Sequence, residues 1–155
     1  ESSLDRPSGP RLALGLAGLT NTVGLGASAI DVERLGYEVA FKWGGFNVQG
    51  EYFDENAENQ SNVTSDNLGY YLQAGYLFPG NKFEIAGRWE SIERDTTFNV
   101  SNLGSALKDF EGTGLGVSYY LNKHVHKIQA DWFSYEDKVT GAGLDEFRVQ
   151  LQVIF

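Results

Sequence analysis

The chain has 155 residues, a formal net charge of -9 and a pI near 4.6, which exclude the basic face that nucleic-acid binding requires. It contains no cysteine, so disulfides, thiolate metal sites and cysteine nucleophiles are excluded as well. Aromatic residues make up 14% and glycine (19) far outnumbers proline (3), a composition that favours strands and tight turns.

Apolar and polar residues alternate with period two along most of the chain, which predicts strands with one face buried in an apolar environment. The predicted strands are, in chain order, Arg11–Gly18, Leu35–Trp43, Phe46–Tyr52, Leu68–Phe78, Phe83–Glu90, Gly114–Leu121, Lys127–Trp132 and Glu146–Phe155. Most have about the length with which a strand crosses a bilayer. No run of apolar residues is long enough to cross as a helix.

The connections between these strands alternate in length. Short turns rich in turn-forming residues are predicted at Trp43-Gly44-Gly45, Pro79-Gly80-Asn81 and Asn122–Val125. Longer connections are predicted near Thr20–Glu33, Asp54–Asp66, Arg94–Asp109 and Asp137–Gly143, and the stretch 54–67 is expected to be a mobile loop. By parity every short turn falls on one side, as the periplasmic turns of outer-membrane barrels do. Residues 1–155 are therefore predicted to form a single antiparallel transmembrane β-barrel domain.

Alternation alone leaves open which face points outward, since a soluble lipocalin-like barrel would turn its apolar face inward. The apolar set is too bulky for the interior of an eight-stranded barrel, and its aromatic members crowd the strand ends beside the short turns. The predicted membrane-interface aromatics are Trp43, Phe46, Phe78, Phe83, Tyr119 and the terminal Phe155. These features favour an apolar face turned toward outer-membrane lipid.

Residues 35–53 read LGYEVAFKWGGFNVQGEYF. This segment resembles the phosphate-selective porin O/P family, in which proline is usual at the position of Gly45. The resemblance continues through GYYLQAGYLFPGNKFEIAGRW (69–89), GLGVSYYLNKHVHKIQADW (114–132) and the final FRVQLQVIF, and is weaker before Asp31.

The resemblance implies an all-β fold in which this chain supplies the last half, eight strands, of a porin barrel of about 16 strands. It also implies a homo-oligomer, usually a trimer, in the outer membrane of a Gram-negative-type bacterium, with outer-membrane lipid and lipopolysaccharide as its surroundings. Envelope proteins at the loops are further expected partners. No cofactor is expected, because solutes pass such a channel by size and charge.

The polar face supplies the candidate pore-lining residues. They are Glu38, Lys42, Glu51, Glu84, Arg88, Glu90, Lys127, Asp131 and Arg148. Acidic members outnumber basic ones, and a phosphate filter needs clustered arginine or lysine. We therefore expect at most a weak preference for cations, or cross-strand charge pairs within the wall.

Three other features are weighed as sites. Glycines at 112, 114 and 116 leave one strand face bare, which indicates either space for a solute or tight contact with a neighbour. His124 and His126 lack an evident third metal ligand and are interpreted as polar turn residues. Because both histidines lie at a short turn, Ser-His-Asp catalysis is not expected and the chain is interpreted as a non-enzyme.

The sequence therefore predicts an outer-membrane porin, a passive diffusion channel for small hydrophilic solutes or ions. The alternative is a complete eight-stranded barrel with a packed interior, acting as a structural or adhesion protein or as a subunit of an envelope complex. Strand number separates the two hypotheses, because a pore needs a wider barrel than about eight strands provide.

Overall fold

The computed structural model describes residues 8–24, 26, 29–95, 109–122 and 125–154. These residues form β1 (Arg11–Val23), β2 (Ile30–Trp43), β3 (Phe46–Asn59), β4 (Thr64–Leu77), β5 (Phe83–Arg94), β6 (Phe110–Asn122), β7 (His126–Asp137) and β8 (Gly143–Val153). All eight lie in one antiparallel sheet in sequence order, which confirms the predicted all-β fold. No helix long and apolar enough to cross a membrane occurs in the described part of the chain.

The sheet is open. Within the described residues, β1 is hydrogen-bonded to β2 and β8 to β7, with no ladder between β1 and β8. The eight strands therefore form a continuous wall and do not close a barrel on themselves. This is the arrangement expected of a segment of a porin wall.

The strands are longer than the apolar pattern predicts. The expected mobile loop at 54–67 is wrong for most of its length, because β3 continues to Asn59 and β4 begins at Thr64. Polar cross-strand pairs extend the ladder there: Asn56 Nδ2 donates to Asp66 Oδ1 at 2.6 Å and Asn67 Nδ2 to Glu55 Oε1 at 2.8 Å. The apolar alternation ends where the outward face becomes polar. The backbone pairing of β3 with β4 continues beyond that point.

The other long connections fit the prediction in part. The connection expected at Thr20–Glu33 is shorter, since β1 reaches Val23 and β2 begins at Ile30. The boundaries expected around Arg94–Asp109 and Asp137–Gly143 are confirmed. Residues 96–108 of the former connection lie outside the described residues.

The short turns lie together at one end of the sheet, as predicted. Gly44 and Gly45 have φ of 59° and 100°, the left-handed conformation that a two-residue hairpin turn requires. Gly80 (φ 95°) and Asn81 (φ 55°) serve the same purpose between β4 and β5. In the third turn, residues 123 and 124 lie outside the described residues.

Register separates the polar and apolar side chains onto opposite faces. Directly paired residues share a face, as Lys42 with Asn47 and Asp131 with Arg148 do on the polar side. The apolar residues lie on the other side and are largely exposed, Leu115 to 59% and Phe147 to 69%. Cavities of about 480 and 260 Å³ are lined mainly by residues of the polar face, which is here called the concave face.

Candidate functional site

The main cavity of the polar face brings together residues of β4 to β8. Five of the nine candidate pore-lining residues line it: Glu84, Arg88, Lys127, Asp131 and Arg148. Glu90 lies on the same face one step along β5, and Glu38 and Glu51 line a second cavity of about 260 Å³ on β2 and β3. Lys42 shares the face but lines neither cavity. The structure thus places all nine on the concave face: six lie in or beside the main cavity, two line the second cavity, and one lies outside both.

Arg88 is held rigidly at the edge of the main cavity. Its Nη2 lies 2.6 Å from Glu90 Oε2, and its Cζ lies 4.0 Å from the centre of the Tyr71 ring. The Tyr71 hydroxyl in turn donates to Glu51 Oε1 at 2.7 Å and accepts from Gln49 Nε2 at 2.9 Å. The guanidinium is therefore fixed by one carboxylate and one ring face, and its charge is neutralised locally.

Arg148 occupies an equivalent position on β8. Its Nε lies 3.5 Å from Glu146 Oε1, and its Cζ lies 4.7 Å from the centre of the Phe133 ring. The directly paired residue, Asp131, accepts hydrogen bonds from Gln129 Nε2 at 2.8 and 3.1 Å. Both arginines of the cavity thus combine a carboxylate with an aromatic ring.

Glu84 and Lys127 belong to a packed polar cluster near the short turns. They are only 7% and 3% exposed. The Tyr120 hydroxyl donates to Glu84 Oε2 at 2.5 Å, Asn47 Nδ2 donates to Glu84 Oε1 at 3.3 Å, and Lys127 Nζ donates to Gln129 Oε1 at 3.1 Å. Burial leaves these two side chains little contact with solvent, so they present little accessible charge to the cavity.

The glycines of β6 are in tight contact with side chains of β7, which decides between the two interpretations left open by the sequence. A Cβ at Gly114 would lie 2.5 Å from Phe133, and one at Gly112 would lie 2.9 Å from Tyr135. At Gly116 the nearest atom would be Asp131 Oδ1 at 2.5 Å. Each glycine is the direct cross-strand partner of the residue that lies over it. The space above these glycines is filled by the wall itself.

The acidic excess lies mainly outside the cavities. Carboxylates crowd the outward face beyond the apolar belt, toward the long connections: Asp31, Glu33, Asp54, Glu58, Asp66, Glu93, Glu111, Glu136 and Asp145. The concave face instead mixes carboxylates with Lys42, Arg34, Arg94 and the cavity cations. Among the candidate pore-lining residues, the five acidic side chains on this face still outnumber the four basic ones.

Lys138 binds this outward acidic surface. Its Nζ donates to Glu93 Oε1 at 3.1 Å and to Ser91 Oγ at 2.8 Å, so the turn between β7 and β8 is tied across β6 to β5. The hydrogen bond to Glu93 raises the pKa of Lys138, against a smaller lowering by partial desolvation. Lys138 stays charged throughout the neutral range.

Aromatic side chains border the apolar face at the end with the short turns. Trp43, Phe46, Phe78, Phe83 and Tyr119 are all there and between 39% and 57% exposed. Tyr76 links them, with ring centres 4.5 Å from Phe46 and 5.0 Å from Phe78. The sixth candidate, Phe155, lies outside the described residues.

A second aromatic border was not anticipated. Tyr37, Tyr52, Tyr70 and Trp89 lie on the outward face toward the long connections, with Tyr37–Tyr52 and Tyr70–Trp89 ring centres 6.1 and 5.1 Å apart. Trp89 Nε1 donates to Glu111 Oε1 at 2.9 Å, where the outward face becomes acidic. The signal was present in the sequence, since period two places the three tyrosines on the apolar face just before its outward positions turn polar.

Possible metal ligands are not clustered in the described residues. No group of three or more His, Asp, Glu or Cys side chains is placed there to hold a metal ion. His126 begins β7 beside a short turn, and His124 lies outside the described residues.

The comparison with protein families agrees with this geometry. The family model described as phosphate-selective porin O and P matches residues 17–152, which is nearly the whole chain. No curated protein is similar enough to the chain to give a match.

Proposed function

The chain belongs to the phosphate-selective porin O and P family, and we propose that it builds the wall of a passive diffusion channel for small hydrophilic solutes or ions. A channel of this family lies in the outer membrane of a Gram-negative-type bacterium, and we assign this chain the same location. Transport of this kind requires no cofactor and no covalent step.

The observation that carries the proposal is the division of the sheet into two faces. Its concave face holds charged and amide side chains around a cavity of about 480 Å³. Its convex face exposes large apolar residues between two aromatic borders, such as Leu72 (50% exposed) and Val149 (66% exposed). Aromatic rings favour the membrane–water interface, and an apolar band between two aromatic girdles is the signature of a transmembrane wall.

We propose outer-membrane lipid and lipopolysaccharide as the partners of the convex face, and a homotrimer as the assembly. The apolar belt supports the first, because an exposed apolar surface of this extent is unstable in water. The trimer is supported by family membership, and envelope proteins at the long connections are a further expectation.

The charges of the concave face support a channel of low ionic selectivity. An anion filter needs arginine or lysine donors that are available to replace the hydration of the ion. The guanidinium groups of Arg88 and Arg148 each contact a carboxylate, Glu90 and Glu146. We therefore propose that solutes pass mainly according to size, and that phosphate is not strongly selected by this wall.

The alternative of a closed, non-porous eight-stranded barrel is not favoured. Such a barrel would pair β1 with β8. Among the described strands, β1 is hydrogen-bonded only to β2 and β8 only to β7.

The test is conductance in planar lipid bilayers with the native protein purified from outer membranes. We expect stepwise channels with a linear current–voltage relation, and swelling of liposomes in small neutral solutes. A protein inserted and folded in the bilayer that conducts no ions and passes no small solute would contradict the proposal and favour a structural role.

A further inference from the structure

Tyr71 of β4 lies on the concave face with a carboxylate on either side of it. Its direct cross-strand partners are Glu51 on β3 and Glu90 on β5. The Tyr71 hydroxyl donates to Glu51 Oε1 at 2.7 Å and accepts from Gln49 Nε2 at 2.9 Å. Its ring lies against the guanidinium of Arg88, whose Cζ is 4.0 Å from the ring centre. One side chain therefore contacts both an acidic residue of the second cavity and a basic residue of the main cavity.

The hydroxyl of Tyr71 determines where the Glu51 charge lies. Glu38 is the cross-strand partner of Glu51 on the side away from Tyr71, and like charges directly opposite each other repel. Glu38 Oε1 lies over Gly15 of β1, whereas Glu51 Oε1 is bonded toward β4. The two carboxylates therefore point away from each other. In the described part of the chain, the Tyr71 hydroxyl is the only donor that holds the Glu51 carboxylate against the wall.

The ring of Tyr71 fixes the Arg88 charge on the other side. Glu90 Oε2 lies at the edge of the guanidinium, 2.6 Å from both Nη2 and Nε, and the Tyr71 ring lies over one face of it. A planar guanidinium that is bonded at its edge and stacked on a ring has few other orientations available. The charges of Glu51 and Arg88 are thus held on opposite sides of one tyrosine.

We propose that Tyr71 is a positioning residue that sets the ion selectivity of the channel. Its hydroxyl restrains the charge of Glu51, and its ring restrains the charge of Arg88. An ion that passes this part of the wall then meets two fixed charges of opposite sign, and neither sign is strongly favoured. This inference rests on the proposed function and names the residue that balances the charges of the same channel.

The test is the reversal potential of the native protein and its variants in a potassium chloride gradient. Tyr71→Phe keeps the ring and removes the hydroxyl, so Glu51 loses its donor and its charge becomes available to cations. We expect the permeability ratio of potassium to chloride to rise about two- to threefold, the scale of one carboxylate a few ångströms from an ion in water. In a Glu51→Gln background the same substitution should change nothing, because the hydroxyl acts through Glu51. Tyr135→Phe is the matched control, since Tyr135 lies on the same cross-strand row and its hydroxyl has no hydrogen bond among the described residues.

The ring is tested separately, by the rate at which phenylglyoxal modifies Arg88, mapped by mass spectrometry. Tyr71→Leu removes the ring and should speed this modification about two- to fivefold relative to Tyr71→Phe, the scale of one exposed cation–π contact. Arg148 is the internal reference, because its guanidinium lies against Phe133 and should react at the same rate in both variants.

The outcomes separate this proposal from the proposed channel. A protein that conducts with the same permeability ratio after Tyr71→Phe overturns the role of the hydroxyl and leaves the channel standing. An equal shift in Tyr135→Phe, or an undiminished shift in the Glu51→Gln background, overturns it as well. Equal modification of Arg88 in Tyr71→Leu and Tyr71→Phe overturns the role of the ring. A folded protein that conducts no ions contradicts the channel itself, and with it the role of Tyr71 in selectivity. Folding of each variant is checked by its mobility in unheated gels.

Discussion

At the scale of single residues, the concave face is built by pairing glycine with a larger side chain. Phe133 covers Gly114 and Asp131 covers Gly116, and in each case the two residues are direct cross-strand partners. The side chain can lie low over the strand because no Cβ stands in its way. This arrangement keeps the concave side of a curved sheet free of crowding and holds the rings in defined positions.

Replacing Gly114 with alanine should therefore destabilise the sheet. The new Cβ would lie 2.5 Å from the Phe133 ring, and overpacking of this kind costs about 1–3 kcal/mol. Unfolding in urea from detergent micelles measures the free energy of unfolding. The control is Gly87→Ala on the outward face, where the nearest atom to the new Cβ would be 3.6 Å away. Equal stability of the two variants would show that the rings are free to move.

At the scale of elements, hairpin turns set the order of the strands in the sheet. Side-chain hydrogen bonds attach a connection to strands that are distant in sequence. The turn between β7 and β8 is attached both by Lys138 Nζ to Glu93 and by the Lys138 amide, which donates to the carbonyl of Asp109 at 2.9 Å. This turn therefore spans β6 and joins elements that are not sequence neighbours.

The attachment by Lys138 should depend on pH only in the alkaline range. Its pKa in the folded protein is raised, so the contact stabilises fully below the pKa of the unfolded chain and is lost as pH rises through the higher folded value. Hydrogen exchange at the β7–β8 turn should thus be protected up to about pH 10, after correction for the intrinsic exchange rate. Lys138→Gln should remove this protection at neutral pH, and Lys82→Gln at the opposite end should not. If the amides of this turn were as well protected from exchange in Lys138→Gln as in the unaltered protein, the proposed role of the Lys138 side chain would be contradicted.

At the scale of the whole molecule, charge is segregated between the two faces. The outward rim carries carboxylates such as Glu58 and Glu136, while the concave face mixes both signs. The net charge of -9 therefore says little about what a solute meets. If the proposed channel forms, we expect its ion selectivity to depend mainly on the concave face, because charges on the other side of the sheet are separated from it and screened by salt.

Removing one cation from the concave face should accordingly shift selectivity. Arg88→Gln leaves Glu90 without the guanidinium that lies 2.6 Å away, so the channel should become more cation-selective. The reversal potential in a potassium chloride gradient measures this, and the unaltered protein should show a small value. Lys138→Gln changes the net charge equally on the outward rim and should leave the reversal potential unchanged. An equal shift in both variants would contradict the separation of the two faces.

The sequence by itself determined the strands, the short turns and the two faces. Period-two alternation and positive-φ residues such as Gly45 and Gly80 are local properties, so they can be interpreted without knowing which strands are neighbours. The sequence did not predict where β3 ends and β4 begins, because cross-strand polar pairs such as Asn56 with Asp66 interrupt the apolar alternation.

The tertiary structure alone decided which side chains meet. Register placed Phe133 over Gly114 and set Arg88 against Tyr71. It also buried Glu84, which the sequence presented as a candidate pore-lining residue. The physical reason is that the side of the sheet on which a residue lies is set by alternation within its own strand. Contact depends instead on the alignment of neighbouring strands and on the curvature of the sheet.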